Sequence, residues 1–150
     1  MTLVFGGSDL GTMGTLADTV LGGKGNVIGV IPQAMVENGW HHDELSELRI
    51  VANMHERKRL MYSLSDGVIA LPGGLGTLDE FIEFLTWNQL GLHRKPLGLL
   101  NVRGYFEPLL EMLTRAIEDG FLRESTWCDF IVAATPEALL DNLEHFDVEP

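Results

Sequence analysis

Basic residues are scarce in this chain: ten Lys and Arg stand against 22 Asp and Glu, for a formal net charge of −12. Nucleic-acid backbones demand clustered cations, so the surface as a whole is wrong for a polymer of phosphates, and no nucleic-acid partner is expected. The deficit is uneven. Arg57, Lys58 and Arg59 fall together, and that cluster suits a small anion better than a polymer. Cysteine is nearly absent as well, and a lone Cys128 excludes an internal disulfide. Long apolar runs are missing too: none approaches the roughly 18–20 residues needed to span a bilayer. The chain opens on a strand-like Thr2-Leu3-Val4-Phe5 rather than a basic stretch leading into an apolar one. A soluble cytoplasmic protein without a membrane partner is therefore expected.

What is present is enough for a core. The 150 residues are 45% hydrophobic and 21% charged, with no biased tract or repeat, which predicts one domain spanning residues 1–150. Short apolar runs at 2–5, 26–31, 67–71, 97–102 and 130–133 are bounded by Gly, Pro or Asp, as buried strands are. Between them, residues 13–21, 50–64, 77–90, 105–117 and 136–143 carry apolar side chains at three- and four-residue spacing, the mark of amphipathic helices. Five strands alternating with helices predict an α/β, Rossmann-like open parallel sheet with helices on both faces. Residues 32–47 have no sustained period and are expected to form a mobile loop over the site.

The strongest local signal is Pro72-Gly73-Gly74-Leu75-Gly76-Thr77, between a strand and a helix. Glycines let the backbone approach a ligand closely, and the helix start offers unpaired N–H groups and a positive dipole end. A phosphate is stabilised in such a place, and Thr77 adds a hydroxyl. A second junction, Gly6-Gly7-Ser8-Asp9-Leu10-Gly11-Thr12-Met13-Gly14, follows the first strand. Taken alone it is as compatible with a plain turn as with a ligand loop. Two such loops at the carboxyl ends of parallel strands, where open α/β sheets bind ligands, favour the ligand reading.

Met54-His55-Glu56-Arg57-Lys58-Arg59-Leu60-Met61 lies on an expected helix with Met54, Leu60 and Met61 toward the core. Arg57 is then either part of a solvated basic face or a ligand contact. Glu80 sits one turn into the helix after the glycine loop. It either complements the helix dipole with Asp79 and Glu83, or reaches a sugar, where a carboxylate supports glycosidic cleavage. His41-His42-Asp43 lacks further ligands at metal spacing and is expected to face solvent.

Pro72-Gly73-Gly74-x-Gly76-Thr77-x-x-Glu80, together with Met54-His55-x-Arg57-Lys58, resembles the paired signature of the LOG ("Lonely Guy") family of cytokinin riboside 5′-monophosphate phosphoribohydrolases. Gly29-Val30-Ile31-Pro32, Thr86-Trp87-x-Gln89-Leu90-Gly91, His93-x-Lys95-Pro96 and Gly98-Leu99-Leu100-Asn101 agree, so the likeness covers residues 2–143. It implies a hydrolase that splits the N-glycosidic bond of AMP or an N6-substituted AMP into free base and ribose 5-phosphate, without metal or organic cofactor. It also implies that Arg57 and Glu80 are catalytic, and that Gly73, Gly74, Gly76 and Thr77 hold the phosphate. Gly7, Met54 and Lys58 are expected beside the substrate. A homodimer or larger homo-oligomer is implied, with helix 77–90 and Trp87 at its interface. The family ordinarily has a further strand before the one matched by Leu3-Val4-Phe5-Gly6-Gly7, so the expectation is either a sequence that starts late relative to its gene or a naturally shortened member whose altered sheet lacks that strand. Two rival readings stand beside the hydrolase: a nucleotide carrier of the same fold, since similar glycine loops also bind without hydrolysing, and a scaffold that lost its pocket with that strand and acts as an interaction protein.

Overall fold

The computed structural model describes residues 1–92 and 94–146, so His93 of the family-like segments lies outside the described residues. The chain divides into two compact units, one ending at Ser65 and the other beginning at Asp66.

In the first unit the order is β1 (Thr2–Phe5), α1 (Gly11–Gly22), β2 (Asn26–Pro32), α2 (Gln33–Glu37), β3 (Glu47–Val51) and α3 (Met54–Leu64). The strands pair in parallel as β1-β2-β3, with Thr2 opposite Asn26 and Ile28 opposite Glu47. Phe5, Ala17 and Val27 are buried between strand and helix, with Leu3, Met13, Val20, Leu21 and Leu45 packed around them. That burial is what fixes α1 on the sheet. Strand β3 was not expected: Ile50 and Val51 look like the start of a helix, and Glu47-Leu48-Arg49 carries too little apolar character to announce a strand. As an edge strand it needs little, because only one side pairs and most of its side chains are exposed. Residues 32–47 also contain more regular structure than their sequence suggests, in helix α2.

The second unit runs β4 (Val68–Ala70), α4 (Leu75–Gln89), β5 (Leu97–Leu100), a 3-10 turn (Val102–Gly104), α5 (Glu107–Glu118), a second 3-10 turn (Glu124–Cys128), β6 (Ile131–Ala133) and α6 (Pro136–Glu144). Its sheet is again parallel, in the order β4-β5-β6. Leu100, Ala133 and Leu139 form one buried cluster, and Gly98 admits Leu139 because an added Cβ would lie 2.9 Å from its Cδ1. Phe81 of α4 meets Phe130 edge-on, ring centres 5.5 Å apart. Thr135 caps α6 by accepting the Ala138 N–H. Parallel strands alternating with helices make an α/β, Rossmann-like fold. Among the described residues no helix is long and apolar enough to cross a membrane.

Candidate functional site

The start of α3 is set locally. The Asn53 side chain accepts the Glu56 N–H at 3.0 Å, and the Glu56 carboxylate accepts the Ala52 N–H at 3.0 Å. Two otherwise orphaned donors are satisfied reciprocally, as in a capping box, so the register of the next turn is fixed. That register turns Arg57 inward. Arg57 and Lys58 are each only 6% exposed, whereas Met54 is 41% exposed and Leu60 and Met61 are half-buried. The expectation that Met54, Leu60 and Met61 would line the core is thus corrected: the fully buried positions of α3 are Arg57, Lys58 and Tyr62. A buried cation requires polar compensation. For Arg57 the main chain supplies it, since Nε donates to the Val30 carbonyl at 3.0 Å, and Nη1 lies 3.8 Å from the Met54 sulfur.

The Arg57 guanidinium lies over Gly6, where any Cβ would overlap Nη2. Gly7 follows with φ +76°, in the left-handed region that glycine adopts without strain. Its carbonyl accepts the His42 N–H at 2.9 Å, and the Ser8 hydroxyl accepts the Leu10 N–H at 3.2 Å. Gly7, Met54 and Arg57 are therefore gathered near the carboxyl end of the first sheet, with Lys58 on the same helix.

His42 departs from its expected exposure. It is 8% exposed, its Nε2 lies 2.9 Å from Asp18 Oδ1, and its Nδ1 accepts the Glu44 N–H at 3.2 Å. Because Nδ1 accepts, the proton sits on Nε2 and is donated to Asp18. Both ring nitrogens are occupied in holding this segment against α1. Only a tertiary partner explains that burial, and His41-His42-Asp43 carries no sequence mark of one.

In the second unit, Pro72-Gly73-Gly74 leaves β4 and α4 begins at Leu75, two residues earlier than its apolar period suggests. Gly74 is the N-cap and has no side chain to occupy the first-turn N–H groups. A Cβ on Gly73 would overlap the Thr77 hydroxyl, while at Gly74 and Gly76 nothing lies within 4 Å of the position a Cβ would take. Thr77 and Glu80 are half-buried and three residues apart, hence neighbours on one face of α4. A shallow groove of about 550 Å³ runs along a different set of α4 residues, Leu75, Leu78, Asp79, Ile82 and Glu83.

One contact was not expected from sequence. The Tyr105 hydroxyl donates to the Gly73 carbonyl at 2.7 Å, tying the segment after β5 to the glycine loop after β4. A tyrosine after Asn101-Val102-Arg103-Gly104 gives no sequence signal for this, because its partner is a main-chain oxygen 32 residues away.

Three comparisons bear on these arrangements. The family model described as possible lysine decarboxylase matches residues 13–143. A probable cytokinin riboside 5′-monophosphate phosphoribohydrolase of Oryza sativa subsp. japonica is 44% identical over 144 residues, which cover 96% of this chain and 59% of the relative. A cytokinin riboside 5′-monophosphate phosphoribohydrolase of Arabidopsis thaliana is also 44% identical, over 96% of this chain and 67% of its own length. The chain thus spans between 59% and 67% of the length of these relatives. With the glycine loop, the Arg57 helix and this match over most of its length, the chain belongs to the LOG family.

Proposed function

We propose that the protein hydrolyses the N-glycosidic bond of an adenosine-type nucleoside 5′-monophosphate, plain or N6-substituted, to free base and ribose 5-phosphate. The observation that carries this reading is the open glycine loop at the N-terminus of α4, with Thr77 and Glu80 on the face that follows it. The names of the relatives support the same chemistry. The N–H groups of Gly74 and Gly76 and the Thr77 hydroxyl hold the 5′-phosphate, with Gly73 shaping the turn. Glu80 engages the ribose and stabilises positive charge developing at C1′. Water adds its oxygen to C1′ as the C1′–N bond breaks with its electron pair on the base, and one water proton passes to the departing nitrogen. Arg57 fixes the substrate or assists departure of the base, with Gly7, Met54 and Lys58 beside it. The reaction draws on these side chains and needs no cofactor.

Cytoplasmic location and assembly as a homodimer or larger homo-oligomer belong to the same reading. For assembly, α4 offers Leu75, 85% exposed, and Ile82 on one face. Trp87 is half-buried and packs on Phe84, which makes it a weaker interface contact than those two.

Base release from AMP and from an N6-substituted AMP, followed by chromatography, tests the proposal. Glu80→Gln is expected to lower turnover about 100-fold or more. A Glu80→Gln protein with normal turnover would remove Glu80 from the chemistry, and saturable AMP binding with no base released would make the protein a carrier.

A further inference from the structure

The peptide joining Gly73 to Gly74 has glycine on both sides, so little in its own covalent structure decides which way it faces. A trans peptide is planar, and its C=O and N–H point in opposite directions. Whatever holds the Gly73 carbonyl therefore also aims the Gly74 N–H. Here the Tyr105 hydroxyl holds it, at 2.7 Å.

Tyr105 is itself held by a rigid segment. Asn101, buried at the end of β5, accepts the Phe106 N–H at 2.7 Å through Oδ1 and donates to Glu107 at 2.7 Å through Nδ2. Its own N–H donates to the carbonyl of Ala133, the last residue of β6, at 2.8 Å. Between these anchors the 3-10 turn places Arg103 at φ +54°, a left-handed backbone that side-chain-bearing residues seldom adopt. The Tyr105 ring then packs edge-on against buried Phe106, with centres 5.1 Å apart. Such a conformation persists where its surroundings over-determine it.

We propose that Tyr105 is a positioning residue for phosphate: by holding the Gly73 carbonyl it aims the Gly74 N–H, at the start of α4, toward the 5′-phosphate. The inference rests on the phosphate-binding reading of the glycine loop and extends it to a residue outside that loop. Tyr105 touches no reacting atom. It acts on the phosphate end of the substrate and leaves the glycosidic bond alone.

Tyr105→Phe keeps the ring and its packing and removes only the hydroxyl. With the full chain, binding of ribose 5-phosphate and of adenine is measured by calorimetry, and kcat and KM are measured with AMP. Losing one neutral hydrogen bond is expected to weaken ribose 5-phosphate binding about 5- to 10-fold and to raise KM similarly. Adenine affinity, kcat within about twofold and the melting temperature should be retained. Unchanged ribose 5-phosphate binding and KM in Tyr105→Phe, beside a wild type that binds, would overturn the role of Tyr105 and leave the proposed function standing. An equal loss in adenine binding and kcat would mark a general disturbance and also overturn it. A wild type that binds neither ribose 5-phosphate nor AMP would overturn the phosphate reading of the loop, and this inference with it.

Discussion

The two glycine loops follow parallel strands in the same way, yet their glycines serve opposite ends. In the loop after β1 the space beside three of the four glycines is already filled by protein: the Arg57 guanidinium at Gly6, Ile31 and the Val30 main chain at Gly7, and the Asp9 main chain at Gly14, with only Gly11 beside open space. In the loop after β4, the positions beside Gly74 and Gly76 are empty. Support for that second loop comes from its carbonyl side, where Tyr105 holds Gly73. The first loop is glycine-rich so that the protein can pack against itself, seating a buried cation. In the second, the proposed phosphate loop, Gly74 and Gly76 leave room for a ligand to approach. Composition alone does not distinguish these cases, because an absent Cβ is the same whichever atoms take its place.

Gly6→Ala puts this contrast to its hardest test. Its methyl would displace the far end of a flexible side chain, so the fold should survive while the guanidinium leaves its seat. Base release from AMP is expected to fall about 100-fold, as for Arg57→Ala. The double variant should be no worse than either single one, since both remove the same element. Independent, multiplying losses would show that Gly6 does not act through Arg57. Gly14→Ala meets the Asp9 carbonyl, a main-chain group with little freedom to yield. A loss of about 1–3 kcal/mol in urea unfolding is expected. An unchanged midpoint would mean that the loop has slack.

Gly76→Ala should reverse the sign. In the first turn of α4 a methyl group meets no protein atom, and alanine favours helix over glycine by up to about 1 kcal/mol. The variant should melt at or above the wild-type temperature while binding ribose 5-phosphate more weakly. Intact binding would argue that the ligand approaches elsewhere.

The smallest effect lies away from both loops. Burial pushes the Asp129 carboxyl above its ordinary value of 3.8. A folded-state pKa above the unfolded one contributes stability below the unfolded pKa, and that stability is lost as pH rises through the folded value. Asp129→Asn should therefore raise the melting temperature slightly at pH 7, with the difference vanishing below about pH 4. The base-release rate should be unaltered, which makes it a control for the loop variants.

Much of this molecule was legible in one dimension. Apolar runs bounded by Gly and Pro located five of the six strands found among the described residues within a residue or two. Edge strand β3 escaped because an edge needs no continuous apolar run. Asn53 and Glu56 carry their capping role openly, since both partners lie within a single turn. The inward face of α3 was misread for the opposite reason: hydrophobic periodicity assumes that buried means apolar, and here the Val30 carbonyl makes a buried arginine tolerable. His42 is a similar case, paired with Asp18 from 24 residues away.

By itself the sequence determined the alternation of strand and helix, the family, and the two loops at which a phosphate could be sought. These depend on contacts a few residues apart, or on patterns repeated along the chain. The tertiary structure alone decided which glycines are filled and which stand open, that Arg57 is buried, and that Tyr105 governs the direction of the Gly73–Gly74 peptide. Those outcomes rest on single contacts between distant segments, made by main-chain atoms that every residue possesses and no sequence pattern marks.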